Sequence, residues 1–183
     1  MPNEILVIDD NSDIRLLISG ILKDKEFTVR EAANFDQAIN EINKKIPDVA
    51  IIDVKLDKGD NDGIELLTHL KKIDDDVPVI MISGHANVQM AVDSLKLGAF
   101  EFMQKPFSAE RLINFVKRAI ENLDLKKEKE VIESKLFHSY DIIGQSNGML
   151  KVRELINKLS NTESRVFISG PAGSGKELAA RQI

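Results

Sequence analysis

Cysteine is absent from the 183 residues, which excludes disulfides, thiolate metal ligands and a thiol nucleophile, and merely permits a reducing compartment. No apolar run reaches the roughly 18 residues that a membrane span needs, and residues 1–9 read as a short strand ending in acid. The reading is of a soluble cytoplasmic protein with no membrane partner. Basic excess is missing too. With 25 Lys and Arg against 30 Asp and Glu, the formal net charge is -5 and the pI is near 5.3, so nothing attracts nucleic acid or anionic membrane in general. Any such contact must be local. Internal repeats and low-complexity segments are also lacking. What remains, 43% hydrophobic and 30% charged, suits one domain of ordinary size plus a remainder too short for a second.

Short apolar runs alternate with segments of helical period. Strands are predicted at Ile5–Ile8, Phe27–Arg30, Val49–Ile52, Val79–Ile82 and Phe100–Met103. The helices between and after them carry apolar faces of Ile14, Leu17, Ile18, Ile21 and Leu22, then Phe35, Ala38, Ile39 and Ile42, Ile64, Leu67 and Leu70, Val88, Ala91, Val92 and Leu95, and, from Ser108, Leu112, Phe115, Val116 and Ala119. Continuous apolar strands joined by single helices imply a parallel sheet covered on both faces, a doubly wound α/β domain. In such sheets the functional site lies beyond the carboxyl ends of the strands. From Arg111 to about Leu136 there is no glycine or proline, and the segment grades into Lys126-Lys127-Glu128-Lys129-Glu130. Apolar positions thin to Leu123, Leu125, Val131, Ile132 and Leu136, which leaves both a short coiled coil and a solvated linker helix open.

The first strand delivers Asp9 and Asp10 at its carboxyl end and the third delivers Asp53, so three carboxylates converge. They repel one another unless a hard cation with oxygen ligands sits among them, and Mg²⁺ suits few carboxylates plus waters and phosphate oxygens. The fourth strand ends in Ser83-Gly84 and the fifth in Gln104-Lys105-Pro106. Taken singly, each residue has an ordinary explanation: an Asp such as Asp13 caps a helix, a serine caps, a lysine pairs with acids. Carboxylate, hydroxyl and ammonium at four strand ends together form an inventory for accepting and neutralising a phosphoryl group.

These residues resemble the receiver domains of two-component response regulators over about residues 3–122. The resemblance implies the flavodoxin-like strand order 2-1-3-4-5. It also implies phosphorylation of Asp53 by a sensor histidine kinase, and Mg²⁺ held by Asp10, Asp53 and the Lys55 carbonyl, with a metal water on Asp9. Ser83 and Lys105 would contact the phosphoryl oxygens, Lys105-Pro106 would be cis, and Phe102 would occupy the place of the switch aromatic, where an ordinary core aromatic is the other reading. One departure stands out. The family's loop after the phosphorylated aspartate has proline four residues on and glycine eight on, whereas here Asp57 takes the first place and Gly63 comes ten on, with Asp57, Asp60 and Asp62 making the loop acidic.

From Tyr140 a new unit is predicted, with Gly144 and Gly148 around a turn, a helix over Met149–Leu159, a strand over Arg165–Ser169 and a helix over Glu177–Gln182. Gly170-Pro171-Ala172-Gly173-Ser174-Gly175-Lys176 fits a phosphate loop, whose backbone amides cradle phosphates while the lysine reaches the outer ones. The generic motif continues with serine or threonine, but here Glu177 follows. Gly-Lys-Glu with Asp141-Ile142-Ile143-Gly144 is similar to the AAA+ domain of NtrC-type activators, and Ile82-Ser83-Gly84-His85 and Ser164-Arg165-Val166 narrow the resemblance to the NtrX subgroup, whose kinase is NtrY-like. The expected organisation is a receiver at 1–122, a helical linker at 123–139 and the amino-terminal fragment of an AAA+ domain at 140–183. Gly170, Gly173, Gly175 and Lys176 would form an incomplete ATP site, functional in the parent protein only. Such activators act as dimers and reach DNA and RNA polymerase through further parts. Without a second acidic strand, a sensor region or an arginine finger, this chain is not expected to be an ATPase. Two rivals differ in class. A flavin- or nucleotide-binding domain needs a glycine- or hydroxyl-rich loop after the first strand, and Asp9-Asp10-Asn11 argues against it. A phosphorylation-independent pseudo-receiver would lack Asp53, Lys105 or a metal acid.

Overall fold

The structure is a computed structural model that describes residues 3–57, 59, 61–84, 88–138, 144, 146–160, 162 and 165–183. The readings made above on Asp60, His85, Tyr140, Asp141–Ile143 and Ser164 lie outside those residues. Two compact units result, Met1–Lys127 and Glu128–Ile183, with the division falling inside one helix.

In the first unit the elements alternate as β1 (Glu4–Ile8), α1 (Ser12–Lys23), β2 (Thr28–Ala32), α2 (Phe35–Lys44), β3 (Val49–Asp53), α3 (Asp62–Ile73), β4 (Val79–Ser83), α4 (Val88–Lys96) and β5 (Glu101–Gln104). The helix α5 (Ala109–His138) follows, then α6 (Asn147–Leu159) and α7 (Lys176–Arg181). The five strands are parallel in the order β2-β1-β3-β4-β5. Alternate side chains along each strand enter two apolar layers. Leu6, Ile8, Ala50, Ile52, Val79 and Met81 pack with Leu66, Leu67 and Leu70 of α3 and Ala38 and Ile42 of α2. Ile5, Val7, Val49, Ile51, Ile80 and Ile82 pack with Ile18 and Leu22 of α1 and Leu112 and Val116 of α5. Each Val, Leu, Ile or Met among them, fully removed from water, contributes about 1.5–3 kcal/mol before the entropy of ordering it is subtracted.

The helix starts are chemically marked. Asn11 caps α1 by accepting from the Asp13 and Ile14 amides, so Asp13 sits in the first turn and is not the cap. Asn34 accepts from the Gln37 amide at the start of α2. In the second unit Ser146 accepts from the Met149 amide, which begins α6 two residues earlier than the periodicity implied and places Gly148 inside its first turn. Residues 165–170 carry no strand, contrary to expectation. A strand is completed only by a neighbour that takes its amides and carbonyls, and none pairs with this segment among the described residues; Phe167 is 92% exposed.

Register brings the strand ends level. Asp53 aligns with Ile82 and Ser83 with Gln104, while the Val54 amide donates to the Ile82 carbonyl and the Lys105 amide to the Ser83 carbonyl. The entry of α3 closes directly on the end of β3. A Cβ at Gly63 would lie 2.0 Å from the Asp53 carbonyl oxygen, and the Gly63 amide donates to the Val54 carbonyl at 3.0 Å. The longer acidic loop therefore keeps the glycine contact. Gly63→Ala is expected to cost about 2 kcal/mol or more through overpacking against backbone, whereas Gly20→Ala, on α1 with nothing within 4 Å of the added methyl, should stabilise by about 0.5–1 kcal/mol. Urea unfolding measures both. Equal effects would contradict the packing described.

Candidate functional site

At the carboxyl edge of the sheet a cleft of about 510 Å³ is lined by Asp10, Asn11, Asp53, Lys55, Ser83, Met90 and Lys105, among others. Asp9 follows β1 and is 1% exposed, Asp53 ends β3 and is 7% exposed, and Ser83 ends β4, also buried. One carboxylate oxygen from each of Asp9, Asp10 and Asp53 lies within 4.8 Å of the others. The Lys105 ammonium spans two of these acids, donating to Asp9 Oδ2 at 2.6 Å and to Asp53 Oδ2 at 2.5 Å. Asp9 Oδ1 accepts from the Asn11 amide, and Asp53 Oδ1 from the Lys55 amide at 3.4 Å. The Lys105–Pro106 bond is cis.

Electrostatics follow from one cation facing three acids. Burial pushes the Asp53 carboxyl above its ordinary 3.8; the hydrogen bond and charge of Lys105 oppose this, and Asp9 reinforces it. For Lys105, burial pulls the ammonium down, but hydrogen bonds to Asp53 and Asp9 outweigh it and leave the group above its ordinary 10.5. The two directions disagree about whether the pair favours charge, and the disagreement has a physical source. The ammonium is satisfied by two carboxylates, whereas for Asp53 burial outweighs the one ammonium it shares and the Asp9 charge adds to the rise.

Every receiver-type residue predicted from the sequence reaches this edge except Phe102, which lies deeper. Phe102 aligns with Met81 on β4 and is buried in the layer that contains Met90 and Ala91 of α4, on the sheet face that Ser83 shares. Sequence reasoning missed Arg15 and Glu31. Arg15 Nη1 donates to the carbonyls of Asp9 and Asp10 at 2.7 and 3.1 Å, and its Nε lies 3.9 Å from Glu31. The available signal was an arginine one turn into the helix that follows the paired acids. In the second unit Gly173 and Gly175 adopt φ of 77° and 82°, a left-handed backbone that favours glycine, and Lys176 donates to the carbonyls of Gly170 and Pro171.

The response regulator receiver domain family matches residues 5–117, and the sigma-54 interaction domain family matches residues 142–183. The chain belongs to the response regulators, as a phospho-accepting receiver of the NtrC type followed by part of a sigma-54 activator segment. Its relatives include NtrX proteins. NtrX of Azorhizobium caulinodans is 40% identical over 183 residues, which cover all of this chain and 40% of that protein. The crystal structure of NtrX from Brucella abortus in complex with ADP superposes with a TM-score of 0.70 at 40% identity, covering 100% of this chain and 40% of that one. The crystal structure of the receiver domain of the same NtrX matches at 44% identity and a TM-score of 0.61, covering 64% of this chain and 98% of that one. The chain thus spans about 40% of the length of the curated NtrX it matches. Among the described residues no helix is long and apolar enough to cross a membrane.

The raised Asp53 carboxyl has a measurable consequence. Because the folded pKa of Asp53 is raised, its contribution to stability is fully present below 3.8 and is lost as pH rises through the folded value. Lys105 acts in another window: its contribution holds below 10.5 and is lost as pH climbs through its raised value. In chelator, Asp53→Asn is therefore expected to be more stable than the parent at neutral pH, with the gap closing below pH 3.8. Urea unfolding across that range checks it. A destabilised Asp53→Asn at neutral pH would contradict the raised carboxyl.

Proposed function

We propose that Asp53 is the phosphoacceptor of this receiver and that the reaction needs Mg²⁺. The observation that carries the reading is the Lys105 ammonium bridging Asp9 and Asp53 beside Asp10 and Ser83. Three oxygen-bearing acids with too little compensating charge fit a hard divalent cation. Asp10, Asp53 and the Lys55 carbonyl would hold it, with Asp9 binding one of its waters. When bound, such an ion offsets charge on phosphoryl oxygens. Asp53 Oδ attacks the phosphorus of a phosphohistidine, the O–P bond forms as the P–N bond breaks, and the imidazole leaves as the neutral ring after taking a proton. Lys105 pairs with the transferred oxygens, and Ser83 donates its hydroxyl to one of them.

The donor is a sensor histidine kinase of the NtrY type, as the NtrX likeness suggests. Ser83 and Phe102 share one face of adjacent strands. A shift of the hydroxyl toward the phosphoryl group frees volume that Phe102 fills, and the surface of α4, β5 and α5 changes with it. Phenylalanine has no hydroxyl to lock either state, so packing alone sets the bias. The output is an altered homodimer balance and altered activity of the parts that follow. The domains are a receiver at 1–122, a linker at 123–139 and an AAA+ fragment at 140–183. Gly170, Gly173, Gly175 and Lys176 bind ATP in the whole protein, a reading supported by the solved NtrX complexes with ADP and ATP. That protein is cytoplasmic and works on DNA and RNA polymerase. The pseudo-receiver alternative has no observation in its favour.

Intact mass after acetyl phosphate and Mg²⁺ tests the reading. The parent should gain one phosphoryl group, Asp53→Asn none, and Asp10→Ala should label more slowly. Equal labelling of Asp53→Asn would contradict it.

A further inference from the structure

The acidic turn after β1 is held from behind by a contact unrelated to the cleft's own inventory. Asp10 is exposed and its carboxylate has no hydrogen-bond or ion-pair partner among the described residues, so only its backbone keeps it near Asp9 and Asp53. That backbone is gripped by Arg15, whose Nη1 accepts no proton and can only donate, doing so to both the Asp9 carbonyl at 2.7 Å and the Asp10 carbonyl at 3.1 Å. The Arg15 side chain is only 16% exposed. Its Nε faces Glu31 Oε2 on β2 at 3.9 Å, and Glu31 Oε1 accepts from the buried Ser19 hydroxyl at 2.8 Å. Lys23 lies 3.9 Å from the same oxygen. Glu31 is fixed in turn by strand pairing, opposite Val7.

We infer that Arg15, oriented by Glu31, is a positioning residue for cation binding. It sets the two peptide carbonyls of the acidic turn and thereby the reach of Asp10, without touching the cation or the phosphoryl group. A guanidinium suits this task because its rigid fork presents fixed donors, whereas an ammonium on a flexible stem holds one carbonyl less firmly. It also brings positive charge close to the two acids without neutralising either carboxylate through a direct bond. Groups that orient ligands in this manner typically change metal affinity by about 10–100-fold when removed.

The inference rests on the Mg²⁺ reading above, and calorimetric titration of the full chain with Mg²⁺ separates the two. The parent, Asp10→Asn, Arg15→Ala, Arg15→Lys and Glu31→Gln are compared, with thermal midpoints in chelator recorded alongside. Arg15→Ala should raise the Kd by about tenfold or more, Arg15→Lys should recover part of that loss, and Glu31→Gln should weaken binding in the same direction to a smaller extent. Saturating Mg²⁺ should then bring acetyl-phosphate labelling of Arg15→Ala back to the parental maximum. If Asp10→Asn weakens binding while Arg15→Ala keeps the parental Kd, this inference falls and the Mg²⁺ reading survives; a lowered midpoint with unchanged Kd means the same, since a purely structural arginine would do that. A parent that takes up no Mg²⁺ overturns both. Should Arg15→Ala fail to fold, parental affinity in both Glu31→Gln and Arg15→Lys overturns the inference instead.

Discussion

One half-buried ammonium serves two carboxylates, and the rest of the site is arranged around that shortfall. Lys105 reaches Asp9 and Asp53 at once, with Asp10 close by. Carboxylates so placed are tolerable without a metal only because Lys105 is present and because burial lets Asp53 hold its proton more readily. The same shortage of positive charge makes the edge receptive to a hard cation. The sheet exists, in functional terms, to keep these groups level: β1, β3 and β4 lie side by side in parallel register, and β5 carries Lys105 into reach across Ser83.

Backbone constraints complete what the charges begin. Gly63 lets the start of α3 rest on the Asp53 carbonyl, and its amide ties α3 to the Val54 carbonyl just beyond β3. Arg15 does the corresponding job for the peptides of Asp9 and Asp10. At the far end of the sheet, Lys126 and Lys127 of α5 pair with Asp76 and Asp48 in the loops that lead into β4 and β3. Those pairs are exposed and contribute little energy individually, about 0–1 kcal/mol. They nevertheless show the helix staying in contact with the receiver unit beyond Leu123.

Much of this was legible before any coordinate. Uninterrupted apolar runs such as Val49–Ile52 and Val79–Ile82 announce buried parallel strands, and the polar residues at their ends announce the edge where chemistry gathers. The strand order and the convergence of Asp9, Asp53, Ser83 and Lys105 follow from that logic combined with the receiver resemblance. Long-range partners were not legible. Nothing in the spacing of Arg15 and Glu31 says that they meet between α1 and β2, nor does Gly63 declare that its missing side chain accommodates a carbonyl. The cap of α1 was misjudged because Asn11 and Asp13 are both good caps and only the backbone decides between them. The segment 165–169 was read as a strand from its apolar character, but strand character is realised only by pairing, which this segment lacks among the described residues.

On the proposed function, the acidic edge directs a phosphoryl group to one carboxylate among several. Borohydride reduction of the protein after treatment with a small-molecule phosphodonor converts an aspartyl phosphate to homoserine, and peptide mass mapping then locates it. Homoserine is expected at position 53 alone, formed when Mg²⁺ is present and suppressed in chelator. Homoserine in place of Asp9, Asp10 or a carboxylate of the loop after β3, or conversion at position 53 unaffected by chelation, would contradict it.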